Sequence, residues 1–281
     1  MQSVVETSAT MASSDARRKI IIDTDTATDD TLAILLALFA PNIKIEAITI
    51  TVGNVDFEQQ TKNALYTLEI AGKGNGEIPV YQGCSRPLVR QTHGTATYVH
   101  GNDGMSDSCF PDPKQKPETE HAVDAIIRLV EKYPGEITLV AIGPLTNIAL
   151  TLLRKPTVAR QINSIYFMGG CYKFYGNVTP VATYNPWVDP EAARIVFQSE
   201  RQKMNGSNHP DALTMAILID PSIGQQMLSR YVDVETQGEL TRGVLVIDEL
   251  GVMKKAPNAT ICVQADEKLF KEMVFNTLKN L

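Results

Sequence analysis

The sequence predicts an α/β fold, with a mostly parallel open sheet that has helices on both of its faces. Three observations support this prediction. Apolar strand-like runs alternate with helical stretches, the first strand-like run is apolar without interruption, and 281 residues with 43% apolar content can bury a sizeable core. We therefore expect one large domain of the doubly wound, Rossmann type.

The first half of the chain opens this alternation. KIIID (19–23) predicts a buried strand, and TLAILLALF (31–39), which is apolar nearly all round, predicts a buried helix that ends before Pro41. A β-branched strand-like run follows at 43–54, a helical stretch at 58–72, and a short strand within 78–83.

The second half repeats the pattern. A helical period at 121–133 precedes a strand-like run at 136–143, which is followed by a helix at 144–153 and a strand at 162–170. Strand, helix, strand, helix in succession is typical of a parallel sheet covered on both faces.

The composition and the pattern of apolar residues change after Glu200. Residues 201–210 are polar and rich in turn formers, and 211–219 predicts a helix. The short runs YVDVET, GVLVIDE and ATICVQAD predict strands, and EKLFKEMVFNTLKN predicts a last helix. We expect the late strands to form a small antiparallel appendage on the main sheet.

Composition excludes several function classes. A formal charge of −6, without basic clusters interleaved with aromatic residues, argues against a nucleic-acid surface. An apolar run of about 18 residues, as a membrane span needs, is absent. Four separated cysteines indicate neither a zinc site nor a disulfide framework. We expect a cytoplasmic protein, with residues 1–18 forming a disordered tail.

Four aspartates are crowded into DTDTATDD (23–30), where the first strand gives way to the first helix. The helix dipole favours Asp29 and Asp30 in a first helical turn, but it does not account for Asp23 and Asp25. Those two are spaced to point the same way on an extended segment, where like charges disfavour one another unless a cation lies between them. Clustered carboxylates are suited to Ca²⁺ or Mg²⁺.

The motif has three other interpretations. An EF-hand loop fails, because Thr28 stands where glycine is needed and Ile34 where glutamate is needed. A haloacid-dehalogenase-type phosphatase has a similar Asp-x-Asp after a strand, but Ala27 occupies a position where threonine or valine is usual. The third interpretation is a capped helix beside a solvated turn.

An ordered set of further motifs accompanies the aspartates. These are TVGN ending at Asn54, VHGNDGM (99–105), GPLTNIAL (143–150), MGG (168–170), GNVTPVATYN (176–185), DPEAARIVF (189–197) and NHPDALTMA (208–216). Together with DTDTATDD they resemble the nucleoside hydrolase family, the inosine-uridine preferring type of ribonucleoside N-glycosidase. The resemblance runs from Lys19 to the C-terminus and implies one domain over 19–281.

The resemblance implies hydrolysis of the N-glycosidic bond of ribonucleosides, in purine and pyrimidine salvage, with a bound Ca²⁺. Its expected ligands are Asp25, Asp30, Asp211 and the backbone carbonyl of Ile142. Asp25 is also the expected general base for the attacking water. The family further implies a homo-dimer or homo-tetramer.

The resemblance also implies how the nucleoside is bound. Asp29 and Asn185 are expected to hold the ribose hydroxyls, Asn177 to reach the 5′-hydroxyl, and Asn54 to order the metal end of the site. His100 is expected on the base side. Tyr98, Tyr184 and Trp187 are candidates for stacking on the base, with packing as the alternative. His209 is considered as the acid that protonates the leaving base, although some relatives place a histidine immediately before the equivalent of Asp211.

Two departures from the family pattern bear on activity. Thr183 stands where the family usually has a glutamate on the 5′ side of the ribose. The resemblance also implies several tens of residues around 200–201 that this sequence lacks, either because the sequence is incomplete there or because the protein is a shortened variant. The alternatives are therefore a catalytically impaired nucleoside- or calcium-binding relative and, from another class, the phosphatase.

Overall fold

The computed structural model describes residues 16–91, 94–173, 175–199, 204–207 and 210–281. The predicted tail, apart from its last three residues, lies outside the described residues, as do the predicted deletion point at 200–201 and His209. Within the described part, no helix is long and apolar enough to cross a membrane.

Ten strands are described. They are β1 (Arg18–Thr24), β2 (Ile43–Ile50), β3 (Val80–Gln82), β4 (Thr138–Ala141), β5 (Ser164–Met168), β6 (Met204–Ser207), β7 (Gly224–Arg230), β8 (Val232–Val234), β9 (Leu245–Ile247) and β10 (Ala259–Ala265).

Nine α-helices are described. They are α1 (Thr28–Phe39), α2 (Phe57–Ile70), α3 (Thr97–His100), α4 (Ala122–Lys132), α5 (Thr146–Arg154), α6 (Tyr184–Val188), α7 (Pro190–Gln198), α8 (Asp211–Ile219) and α9 (Glu267–Leu278).

Eight of the described strands form one sheet in the order β3–β2–β1–β4–β5–β6–β10–β7. All neighbours are parallel except β10 and β7, which are antiparallel. The chain builds outward from β1 through β2 to β3, and then returns to place β4 on the other side of β1. The order therefore reverses between β1 and β4, where open α/β sheets bind their ligands.

Two apolar cores lie on opposite faces of the sheet. Ile21 belongs to one core, with side chains of α4, α5 and α7, whereas Ile20 and Ile22 belong to the other, with side chains of α1, α2 and α8. Successive strand residues point to opposite faces, so an apolar run such as Ile20–Ile22 can serve both cores. The predicted α/β class, with helices on both faces, is confirmed.

The antiparallel appendage is confirmed for β8 and β9, which form a separate two-stranded sheet. It does not include the third predicted strand, β10, which lies inside the main sheet between β6 and β7. Ile261 and Cys262, adjacent in β10, are both buried, as expected of a strand covered on both faces. Strand β7 was not predicted, and β6 occurs in a stretch whose composition indicated turns.

Candidate active site

The aspartate motif begins at the carboxyl end of β1, which lies beside the carboxyl ends of β2 and β4. Because the three strands are parallel, the segments that follow them meet at one edge of the sheet. The order reversal at β1 and β4 opens a crevice there. This edge brings Asp25, Asn54 and Ile142 together from three separate parts of the chain.

Asp25 lies fully buried in a space that two glycines leave open. Its Oδ2 accepts a hydrogen bond from the backbone N–H of Asn54 at 3.0 Å, and its Oδ1 has no hydrogen-bond partner. A Cβ on Gly53 would lie 1.8 Å from Asp25 Oδ2, and one on Gly143 would lie 2.8 Å from Oδ1. Burial, and then the charges of Asp30 and Asp29, raise the pKa of Asp25 well above its usual range.

Asp30 is also fully buried, but its oxygens are hydrogen-bonded. Oδ1 accepts from Thr24 Oγ1 at 2.6 Å, while Oδ2 accepts from the Ala27 N–H at 3.0 Å and from Asn54 Nδ2 at 3.3 Å. The Ala27 contact satisfies a free N–H at the start of α1 and explains why that helix begins at Thr28, before the predicted 31. Burial and the charge of Asp29 still raise the pKa of Asp30 to about 8.

Asp211 reaches the same place from the far end of the chain. It is the first residue of α8, which packs against α1, and its Oδ1 is buried without a hydrogen-bond partner. One carboxylate oxygen each from Asp29, Asp30 and Asp211 lie within 4.8 Å of one another. Burial, followed by the charges of Asp30, Asp29 and Asp25, raises the pKa of Asp211 well above its usual range.

Three carboxylates at this distance, with Asp25 close enough to interact with their charges, cannot all be ionised without a compensating positive charge. Buried oxygens on Asp25, Asp29 and Asp211 lack hydrogen-bond partners, and all four groups offer hard oxygen ligands. The cluster thus fits a divalent cation of the calcium or magnesium type. Asp29, which was predicted to bind ribose, lies within the tightest group of oxygens, whereas Asp25 lies beside it.

The backbone carbonyl of Ile142 follows β4 and faces the same crevice. It accepts a hydrogen bond from Asn185 Nδ2 at 2.7 Å, and the same amide nitrogen donates to the Met168 carbonyl at 3.0 Å. Asn185 thereby ties the ends of β4 and β5 to α6. A carbonyl oxygen has two lone pairs, so Ile142 can still offer one to a cation.

A cavity of about 180 Å³ opens above this cluster. Its lining residues come from the aspartate loop, α3, α6, α8 and the segments after β2 and β4, namely Asp29, Asn54, Ala96, Tyr98, Val99, His100, Ile142, Met168, Asn177, Tyr184, Asn185 and Asp211. It includes five of the six residues predicted for substrate binding.

Thr183, the sixth, is not among the lining residues. It is buried, and its Oγ1 accepts a hydrogen bond from the Gly170 N–H at 2.6 Å. Asn177 does reach the cavity, where its Oδ1 also accepts from the Tyr184 N–H at 2.8 Å. The aromatic candidates differ in place, since Tyr98 and Tyr184 line the cavity while Trp187 lies against the guanidinium of Arg242 at 3.9 Å.

Asn147, which belongs to the GPLTNIAL motif, has a structural role. It is completely buried, and its Nδ2 donates to Asp23 Oδ1 at 2.8 Å and to the Ile50 carbonyl at 3.0 Å. Its Oδ1 accepts from the Cys84 N–H at 2.8 Å. Asn147 therefore joins the ends of β1, β2 and β3, a role that only the long-range contacts reveal.

Asp23 is directed to this structural contact. Its Oδ1 accepts hydrogen bonds from Thr49 Oγ1 at 2.6 Å and from Asn147, and it does not line the cavity. Burial raises the pKa of Asp23 to about 7. A phosphatase of the type considered above would need this first aspartate at the substrate, so its position argues against that alternative.

Comparison with known proteins decides the family. The family model described as inosine-uridine preferring nucleoside hydrolase matches residues 20–204 and 198–272. The chain belongs to this family. Its N-glycosidase assignment, expected from the motifs, is confirmed, and the phosphatase alternative is set aside.

Individual relatives agree with this assignment. The non-specific ribonucleoside hydrolase RihC of Salmonella typhi is 37% identical over 298 aligned positions, covering 91% of this chain and 95% of RihC. Uridine nucleosidase 1 of Arabidopsis thaliana is 42% identical over 181 positions, covering 64% of this chain and 53% of that protein. The solved purine-preferring ribonucleoside hydrolase of Gardnerella vaginalis superposes with a TM-score of 0.85 at 28% identity, covering 92% and 98% of the two chains.

The matches also show where this nucleoside hydrolase departs from its relatives. The two segments of the family model meet at residues 198–204, and the alignment to RihC is longer than the entire 281-residue chain. Such an alignment requires gaps in this chain.

Proposed function

We propose that this nucleoside hydrolase cleaves ribonucleosides into ribose and free base with the help of one Ca²⁺ ion. Asp25, Asp30, Asp211 and the carbonyl of Ile142 would hold the ion, with Asp29 as a further candidate ligand. The observation that carries the proposal is the buried carboxylate cluster, in which three oxygens have no hydrogen-bond partner. Calcium fits because it accepts six to eight oxygen ligands of mixed type.

A bound calcium ion would neutralise the carboxylates and make a neighbouring water more acidic. Asp25 would then accept the proton of the attacking water, since its Oδ1 is free of other partners while its Oδ2 is held by Asn54. Low exposure of the carboxylate keeps competing water away from this proton transfer.

The cavity lining supports the predicted contacts with the nucleoside. Asp29 and the Oδ1 of Asn185 would accept hydrogen bonds from the ribose hydroxyls next to the cation, since both protons of Asn185 Nδ2 are donated to the Ile142 and Met168 carbonyls. Asn177 would reach the 5′-hydroxyl, and Asn54 would act indirectly by holding Asp25 and Asp30 in place. His100 would face the base. Thr183 would support the site only through its bond to Gly170.

Two measurements test this proposal. Elemental analysis of protein purified without chelator should find one calcium per chain, and Asp30→Asn should lose it, whereas the surface variant Asp124→Asn should retain it. Incubation with inosine or uridine should release base and ribose without phosphate. Absence of any divalent cation, before and after calcium is added, would contradict the metal assignment.

The gap in the alignments favours a second candidate, a relative that binds nucleoside or calcium with impaired turnover. The two family-model segments meet at 198–204, shortly before Asp211 in the sequence, so a shortening at this point would affect the part of the chain that leads to Asp211. Calorimetric binding of inosine without base release would support this candidate. Release of base at ordinary enzymatic rates would exclude it.

The proposal also covers the oligomeric state of the protein and its cellular compartment. A homo-dimer or homo-tetramer, acting in cytoplasmic purine and pyrimidine salvage, is what the family resemblance implies. Leu240, Leu250 and Val252 are 81%, 86% and 74% exposed, and exposed apolar side chains of this size are common at interfaces. Sedimentation equilibrium would determine the oligomeric state, and a monomer at micromolar concentration would contradict the proposed dimer or tetramer.

A further inference from the structure

A hydrogen bond between side chains joins α3 to the aspartate loop. Oγ1 of Thr28 lies 2.7 Å from Nδ1 of His100. Thr28 is the first residue of α1 and directly precedes Asp29, while His100 is the last residue of α3. The contact therefore connects the carboxylate cluster with the helix on the base side of the cavity.

The backbone contacts of α3 fix the position of the helix but do not orient the imidazole ring. The Ala96 N–H donates to the Asn54 carbonyl at 2.7 Å, and the Ser106 N–H donates to the His100 carbonyl at 2.7 Å. Neither contact touches the ring. Thr28 is β-branched and has few side-chain rotamers, so its hydroxyl is a well-defined partner for the ring.

Asp29 is the other polar group close to the same ring nitrogen. Its Oδ1 lies 3.8 Å from His100 Nδ1, which is beyond hydrogen-bond distance. Thr28 is therefore the residue that engages Nδ1. A neutral imidazole has one nitrogen with a proton and one without, and the Thr28 hydroxyl can either donate to Nδ1 or accept from it, so the tautomer of His100 is what has to be assigned.

We propose that Thr28 is a positioning residue whose hydroxyl donates to Nδ1 of His100, keeps the proton on Nε2 and directs that N–H toward the nucleoside base. The inference rests on the proposed nucleoside hydrolase activity. When the glycosidic bond breaks, its electron pair goes to the base nitrogen, and the Nε2–H donates a hydrogen bond that stabilises the developing charge until the departing base takes up a proton from solvent water. His100 keeps its proton, because releasing it would leave both ring nitrogens bare.

The kinetic test compares Thr28→Val, which keeps the shape and removes the hydroxyl, with Thr28→Ser, which keeps the hydroxyl. Thr28→Val should lower kcat/KM for inosine and uridine about tenfold, as expected for one hydrogen bond. It should change p-nitrophenyl riboside hydrolysis far less, since nitrophenolate leaves without such stabilisation. Thr28→Ser should recover most of the loss.

Other outcomes would overturn the proposal. Equal losses on both kinds of substrate would place the effect of Thr28 on the ribose or the metal. Equal losses in Thr28→Val and Thr28→Ser would show that the hydroxyl is not what matters. In a His100→Ala background, Thr28→Val should not lower kcat/KM for inosine any further, because the imidazole that Thr28 would position is absent. A further loss in this background would also contradict the proposal.

A second measurement does not depend on turnover. Nitrogen-15 spectra of histidine-labelled protein, at a pH where the ring is neutral, report the tautomer of His100, assigned among the four histidines with His100→Gln. The parent should show a proton on Nε2 alone, and Thr28→Val should show both tautomers. A proton on Nδ1 in the parent would refute the positioning role. The expected tautomer without nucleoside turnover would instead refute only the proposed function.

Discussion

Asp25 and Asp30 are fully buried behind the central strands, whereas Tyr98 and Val99, across the same cavity, are 71% and 62% exposed. The carboxylate side of the site is built from strand ends, whose positions the sheet determines. The other side, where the base is proposed to bind and which we call the base side, is built from the four-residue helix α3 and from connecting segments. Changes on the first side should therefore alter chemistry and stability, and changes on the second should mainly alter the affinity for substrate.

The largest expected effect is that of Asp25→Ala on the carboxylate side. Loss of a positioned general base lowers rates by about 10²–10⁴-fold, so kcat for inosine at saturating calcium should fall by at least that much. The KM should change less, because in the proposed site Asp29 and Asn185 would still hold the ribose. Steady-state kinetics of Asp25→Ala and Asp29→Ala together check this, with Asp29→Ala expected to raise KM.

Near-normal kcat in Asp25→Ala, with calcium bound, would falsify the catalytic role. The cluster would then be a structural metal site.

Gly53→Ala should have the next largest effect, although it removes no functional group. The new Cβ would lie 1.8 Å from Asp25 Oδ2, so the carboxylate or the strand end must shift. A displacement of about 1 Å can lower a rate about 10²-fold, and overpacking costs about 1–3 kcal/mol of unfolding free energy. Kinetics and urea unfolding would measure both losses.

Gly94→Ala, on the base side, is the matched control. Its new Cβ would meet Trp187 at 3.4 Å, which is ordinary contact, so kcat should stay close to that of the parent. Equal behaviour of the two alanine variants would contradict the view that the carboxylate side is the more tightly constrained one.

A third prediction concerns pH and calcium. The folded-state pKa values of Asp23 and Asp30 are raised to about 7 and about 8, from 3.8. Between pH 4 and pH 8 the folded, metal-free protein thus binds more protons than the unfolded chain, so its stability should fall as pH rises. Urea unfolding in chelator at pH 5, 6.5 and 8 measures this slope.

Calcium should offset this loss, because in the proposed site it would bind the ionised carboxylates. At about 100-fold excess over its dissociation constant a ligand adds about 2.7 kcal/mol, and the gain from calcium should be larger at pH 8 than at pH 5. A gain that is independent of pH would argue that calcium binds elsewhere.

The comparison of the two sides also explains what the sequence could predict. The aspartate motif is local, and strand alternation with the rule for parallel sheets was enough to predict that Asp25 and Asp30 lie at the carboxyl end of the first strand. Asn147 and Gly53 were not recognised, because their roles depend on contacts between segments far apart in sequence. Thr28 drew attention only as a residue that does not fit an EF-hand, since its contact with His100 spans 72 positions.

The smallest effect is expected from Tyr98→Ala on the base side. The side chain is largely exposed and lines the cavity, so its removal should change the free energy of unfolding by less than about 0.5 kcal/mol. Stacking on a base contributes about 0.5–1.5 kcal/mol, which predicts a rise of a few-fold in KM with kcat unchanged. Tyr98→Phe keeps the ring and should behave like the parent. An unchanged KM in Tyr98→Ala would remove this residue from the base side, and an equal rise in Tyr98→Phe would point to the hydroxyl as the contact.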